Sequence, residues 1–301
     1  MILGITLLVF LVLQAAPGDQ ASSALGDGAS EEAKQQYRQE NGLNDSLVLQ
    51  YFRFLGKLLQ FDLGVTTPPA KSVASMIGSA FPLTLQLTFL GVLIAIVLSL
   101  AFGILGALYR DKWQDQLVRV FSIAAIATPS FWLGILLIQW FALGANPMFP
   151  SGGIATPESG FGGWLNSMVL PALALGIPVS ASLIRVVRTS MVEELDRDYV
   201  RTAIGNGVPY REVVSKNVLR NALVTPVTVL GLRVGYLLGG AVVIEVIFAL
   251  PGMGQLILNG ITNLDVNLVQ GVVLTISVTF VLVNIVVDLL YLLINPRIRT
   301  V

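Results

Sequence analysis

The chain has 301 residues, 54% hydrophobic and only 12% charged, against about 25% charged in a soluble globular domain. Its mean hydropathy of +0.78 belongs to a polytopic membrane protein. Eighteen basic residues balance eighteen acidic ones, and neither cysteine nor histidine occurs. These features exclude bulk attraction to nucleic acid, disulfides, thiolate or histidine metal sites, histidine-dependent catalytic triads and histidine proton relays.

The first apolar run, Met1–Ala16, is short for a hydrocarbon core of ~30 Å, which takes ~20 helical residues. Small residues follow at Ala15, Ala16 and Ala21–Ser23, as after a secretory signal, but the basic stretch that opens such a signal is missing. The expectation is a first span, its beginning short or lying before Met1. Residues 17–81 form a polar segment with helix-forming stretches near Glu31–Glu40 and Leu47–Leu59, enough for a small cap. Residues 82–301 then carry five further spans. Pro82–Leu108, Val120–Ala145, Leu165–Ile184 and Val266–Val287 contain no charge, and Ala222–Ile244 contains only Arg233. The fold class is an all-α bundle of six transmembrane helices. Pro129 falls inside the third span, and Pro171 and Pro178 inside the fourth. Kinks there fit ordinary bundle packing or a flexing gate.

Charge sets the orientation. The connection Tyr109–Arg119 holds Arg110, Lys112 and Arg119, and Arg185–Arg220 holds seven basic residues. The connections near 146–164 and 245–265 hold no Lys or Arg. Basic loops lie on the cytoplasmic side, so both termini are expected there and residues 17–81 outside. The five basic residues of that long segment do not oppose this, because long segments translocate largely regardless of charge.

The polar stretch Asp198–Pro226, set between apolar spans, reads as a helical hairpin. The fourth span is expected to continue as helix to about Ile204. Gly205 and Gly207 can supply the left-handed end of a helix, and Pro209 suits the first position of the next. Glu212 falls in its first turn and Lys216 and Arg220 in its last, matching the helix dipole. Val213, Val214, Val218 and Leu219 face one way, and Arg211, Ser215 and Arg220 another. Such a hairpin can dock a cytoplasmic protein, or it can be a solvated connector carrying positive-inside charge. Its residues alone leave both readings open.

The loop resembles that of permease subunits of bacterial ABC importers, which share a Glu-Ala-Ala, three residues, Gly, nine residues, Ile-x-Leu-Pro pattern. Here Ala203, Gly207 and Leu219 match. Arg201 replaces the glutamate, Thr202 the second position, Asn217 the isoleucine and Arg220 the proline. The chain is much more similar to one branch, the first of the two permeases of dipeptide, oligopeptide and nickel importers. The resemblance rests on Asp198-Tyr199-Val200-Arg201-Thr202-Ala203, Gly207 and Leu219-Arg220-Asn221-Ala222-Leu223 before Pro226. It extends to Ala16-Pro17-Gly18-Asp19, Phe61-Asp62-Leu63-Gly64, Pro82-Leu83-Thr84-Leu85, Leu238 to Glu245, Pro251-Gly252-Met253-Gly254 and Asn295-Pro296-Arg297.

The resemblance implies a type I importer permease in a bacterial inner membrane. It would form half of a translocation pathway for peptides, or alternatively for nickel or another small solute. The coupling loop, about residues 190–220, would seat in a cytoplasmic ATPase through Arg201, Thr202, Ala203 and Gly207, with Leu219 supporting its fold. Partners would be a second permease, two ATPase subunits holding ATP and Mg, and an extracytoplasmic binding protein. The chain itself has no G-x-x-x-x-G-K-[ST] phosphate loop, so it is not expected to be an ATPase, nor to carry a cofactor.

A charge at the bilayer centre costs about 2.5–3.5 kcal/mol on insertion scales, so Arg233 is expected to face a partner or a watery cavity. It is a candidate for the translocation path, where it would meet a peptide carboxylate, or a member of a structural pair. Glu245 lies twelve residues on, about 18 Å along the same helix, too far to pair with it. Glu245 is a candidate near the outer mouth for a peptide amino group, or a structural residue near the Pro251 turn. Asp288 is expected to cap or pair near the inner end of the last span. A secondary transporter would predict inverted repeats, and none is evident. For an intramembrane enzyme, a serine–histidine dyad is impossible without histidine, and a pair of aspartates deep in facing helices is not evident, since Asp288 lies near a span end.

Overall fold

The computed structural model describes residues 2–15, 20–26, 28–60, 62–66, 70–144, 146–155 and 159–294. Of the segments carrying the family resemblance, residues 16–19, Phe61 and 295–297 lie outside these. So does the side chain of Asp288. Among the described residues every regular element is a helix, apart from one isolated bridge between Val65 and Ser72. Two compact units form, one from Met1–Thr84 with Leu250–Val281 and one from Leu85–Ala249 with Leu282–Val301.

In the first unit, α1 (Ile2–Ala15) packs on α4 (Leu47–Leu59). Phe10 lies 5.5 Å from Tyr51 and 6.2 Å from Phe54, ring centre to ring centre. Gln14 Nε2 donates to Gln50 Oε1 at 2.9 Å. α2 (Gln20–Leu25) and α3 (Glu31–Glu40) lie between them in the chain. Ser30 and Ser46 cap α3 and α4, their hydroxyls accepting from the N–H groups of Ala33 and Leu49. Both helices occupy the stretches expected from sequence. Farther along, Val73 and Ile77 of α5 (Val73–Leu108), Met253 of α13 (Met253–Thr262) and Leu268 and Val272 of α14 (Val266–Ile294) form a buried cluster. The N–H of Met253 donates to Thr84 Oγ1 at 3.0 Å. α13 lies in the connection 245–265, where the sequence indicated only a turn.

The second unit is organised around α8 (Gly160–Leu195), which packs against α6 (Trp113–Ala127), α7 (Ser130–Phe141) and α12 (Val224–Ile247). Its most apolar stretch is 72% buried, against 33% for α12. Small residues let α5 come close to it. A Cβ on Gly176 would stand 2.7 Å from the carbonyl oxygen of Gly91, so only glycine fits there. At 36 residues, α8 is about 54 Å long, well beyond a ~30 Å hydrocarbon core. Its surplus is the charged end Arg185–Leu195.

Among the described residues four helices are long and apolar enough to cross a membrane: α5, α8, α12 and Val266–Val287 of α14. The third expected span, Val120–Ala145, is not one straight helix. It breaks between α6 and α7 with a bend of 105°. Pro129 has no N–H to continue the ladder and forces Thr128 into extended backbone, φ −89°, ψ 115°. Counted as one broken span, α6–α7 makes five crossings, and α1 is a shorter apolar helix over Leu3–Val12. The second span starts nine residues earlier than expected, at Val73, with Pro82 inside the helix.

Candidate functional site

The fourth span does not run on to Ile204. α8 stops at Leu195, Arg197 is extended (ψ 146°), and α9 (Asp198–Gly205) begins as a separate helix. Asp196 closes α8 and is held by Arg110, whose Nη1 lies 2.8 Å from its carboxylate. Asp198 opens α9, where a negative charge suits the helix dipole.

α9 ends in a Schellman closure. The N–H of Val208 donates to the Ala203 carbonyl at 3.1 Å and the N–H of Gly207 to the Ile204 carbonyl at 3.0 Å. Gly207 takes the left-handed conformation, φ +84°, while Gly205 stays helical. A Cβ on Gly207 would meet nothing within 4 Å. Pro209 is the cap of the following helix rather than its first residue, and that helix is irregular. Tyr210–Glu212 is α10, Val213–Val218 is π-helical and Leu219–Ala222 is α11. The wide turn lets Val213 and Val218, five apart, both point inward. They join Val187 and Met191 of α8, Val200 of α9 and Ala222 in one buried cluster, with Ala203, Val208, Val214 and Leu219 packed on its edge.

Hydrogen bonds fasten the hairpin to α8. The Tyr199 hydroxyl donates to Glu194 Oε2 at 2.9 Å, and Asn221 Nδ2 donates to that hydroxyl at 3.4 Å. Burial, more than the neighbouring carboxylate, raises the Tyr199 pKa, which keeps the hydroxyl a donor. Lys216 pairs with Glu212 at 2.6 Å, one turn apart.

Seated this way, the hairpin exposes Arg201, Thr202, Asn206 and Gly207. It also exposes two large apolar side chains, Ile204 at 44% and Tyr210 at 50%. Neither stands out in the sequence as a docking residue. Their only signal was an apolar character that did not fit the inward stripe of the hairpin.

With that geometry in view, two family models match. One is described as the binding-protein-dependent transport system inner membrane component and covers residues 99–300. The other, its N-terminal component, covers residues 1–88. The chain belongs to this family of inner-membrane transport components. Among curated relatives, a putative peptide transport system permease protein of Brucella abortus is 39% identical over 295 residues, 98% of this chain and 94% of that one. The probable D,D-dipeptide and the glutathione transport system permease proteins of Escherichia coli K12 are each 37% identical, over 98% of this chain and 93% and 94% of theirs. Among solved structures, the inward-facing MetNI methionine ABC transporter aligns with a TM-score of 0.61 at 16% identity, over 74% of this chain and 97% of that one. This last likeness concerns the fold.

The permease is thus a multi-pass inner-membrane subunit of an ABC importer, and its loop residues can be placed. Ala203, Gly207 and Leu219 belong to one structural unit, whereas Arg201 and Thr202 lie on its exposed side, Arg201 4.0 Å from Asp198. Arg233 and Glu245 are not brought to this unit; they sit on α12. Arg233 is exposed and makes no ion pair among the described residues, while Glu245 is completely buried.

Proposed function

We propose that this permease forms half of a translocation pathway for peptides and that residues 198–222 are its docking element for a cytoplasmic ATPase. One observation carries the docking reading: the hairpin turns its apolar stripe inward onto α8 yet leaves Ile204 and Tyr210 exposed beside a glycine with open space around it. Uncovered apolar side chains at the tip of a polar loop suit a protein partner. The peptide reading rests on the names of its relatives. ATP and Mg would be held by the partner, and the chain would not be an enzyme. A second permease would complete the pathway, and a binding protein would deliver the peptide from outside. Arg233, exposed in mid-span, would face the pathway or the second permease. Glu245, buried here, would reach a peptide only when the outer mouth opens.

The test is ATP-dependent uptake of labelled di- to pentapeptides in cells lacking this chain. Both Gly207→Ala and Gly207→Trp meet the same backbone strain, about 1–2 kcal/mol, but only Trp adds bulk. Rescue by wild type and Ala, with loss in Trp at normal membrane level, is expected. Full rescue by Trp would remove the docking reading, and undiminished uptake in the deletion strain would remove the peptide reading.

A further inference from the structure

Asp115, in the first turn of α6, is completely buried. Its carboxylate accepts four hydrogen bonds. Arg188 Nε reaches Oδ1 at 2.6 Å and Arg188 Nη2 reaches Oδ2 at 2.7 Å. Arg119 Nη2 and the N–H of Asp111 reach Oδ2 at 2.7 and 3.1 Å. A Cβ on Gly106 of α5 would lie 3.4 Å from both Asp115 Oδ1 and Arg188 Cδ, so the pair packs directly against that helix. Nearby, Arg110 ties the α5–α6 turn to Asp196 at the end of α8.

Apolar residues of similar volume would hold these helices together at least as well, because the buried Asp115 and the partly buried Arg188 are costly to desolvate. What the forked pair adds is direction. A guanidinium offering two parallel donors to one carboxylate fixes a single register between α6 and α8. Arg188 also sits between Val187 and Met191, two residues of the cluster that seats the cytoplasmic hairpin. The hairpin, the inner end of α8 and the first turn of α6 therefore form one body, and α6 leads from it to the 105° break at Pro129.

We propose that Asp115, gripped by Arg188, is the positioning residue that carries movement of the ATPase-docking hairpin into the broken span α6–α7. It acts through Arg188 and touches neither peptide nor nucleotide. The proposal rests on the docking reading of the hairpin. It predicts that cutting the link leaves ATP hydrolysis running while transport slips.

The experiment uses the full complex of two permeases, ATPases and binding protein in proteoliposomes, with uptake and ATP hydrolysis measured together. Asp115→Asn is expected to lower peptide imported per ATP about tenfold, within the range of ordinary coupling energies, with hydrolysis still stimulated by loaded binding protein. Asp115→Glu is expected to restore most of the ratio. An unchanged ratio in Asp115→Asn, or uptake and hydrolysis falling in proportion, overturns the proposal. Where Asp115→Asn fails to assemble, Arg188→Lys, which keeps the charge but lacks the fork, is read the same way.

A second reading needs no peptide. The chain lacks cysteine, so on this subunit spin labels attach only at introduced sites, Val120→Cys on α6 and the exposed Lys216→Cys on the hairpin. With the native Asp115, one unchanged distance is expected in nucleotide-free and vanadate-trapped states; with Asp115→Asn the trapped distance shifts. Identical traces in both backgrounds overturn the link, even if wild type imports no peptide. Failure of wild-type import alone defeats the peptide reading only.

Discussion

At Gly207 one residue closes the hairpin turn and leaves its surface clear. The Schellman bonds need a left-handed residue there, and φ is +84°. Asparagine tolerates that conformation better than alanine because its short amide bonds locally. Gly207→Asn is therefore expected to leave the loop more resistant to trypsin in inside-out vesicles than Gly207→Ala, with Arg201 and Arg211 among the exposed sites that flank the turn. The reverse order would mean that the left-handed turn does not control the loop. The left-handed turn at Gly207 was legible in the sequence because a helix end followed by a proline has local rules, whereas Ala203 and Leu219 stood out through the family resemblance. Asp115 was not. Its partner Arg188 is 73 residues away, and an aspartate in a basic connection reads as solvated charge until the fold buries it.

At the scale of elements, apolar length announced the spans, but length cannot show where a helix bends. Pro129 was visible, and its effect was underestimated because a proline inside an apolar run is often accommodated by neighbouring helices. The pause between α8 and α9 left even less trace: Asp196 and Arg197 include neither glycine nor proline, and the contact of Arg110 with Asp196 is one that only the fold supplies. The π-helical turn is equally tertiary, since Val213 and Val218 share a face only in that wider coil. Packing at these elements makes two further predictions. Met191→Ala, at a fully buried site, should cost about 2–5 kcal/mol and speed tryptic cleavage of the hairpin. Gly176→Leu drives a side chain against the Gly91 carbonyl and should lower the thermal midpoint in detergent through overpacking of about 1–3 kcal/mol or more. A midpoint equal to wild type would mean that α5 and α8 do not approach so closely.

For the whole molecule, the decisive variable is which side each connection faces, because the hairpin can meet an ATPase only from the cytoplasm. Basic residues gather in the turn Tyr109–Arg119 and in Arg185–Arg220 and are missing from 142–159 and 248–265, the asymmetry that orients inner-membrane proteins. The helices honour that division. α8 starts at Gly160, after a connection without Lys or Arg, and ends at Leu195 beside the basic hairpin, while α12 leaves the hairpin and ends at Ile247 in another such connection. The native chain has no cysteine, so the test needs no background removal. Met148→Cys and Ile204→Cys, exposed at 68% and 44% respectively, are introduced singly and treated with a membrane-impermeant maleimide. In spheroplasts Met148→Cys should label and Ile204→Cys should not; in inside-out vesicles from cells lacking the ATPase subunits, which would otherwise cover Ile204, the pattern should reverse. Labelling of Ile204→Cys from outside would place the hairpin beyond reach of any cytoplasmic ATPase. It would remove the docking reading and the role of Asp115 together, whereas the helix assignments and the buried Asp115–Arg188 pair would stand.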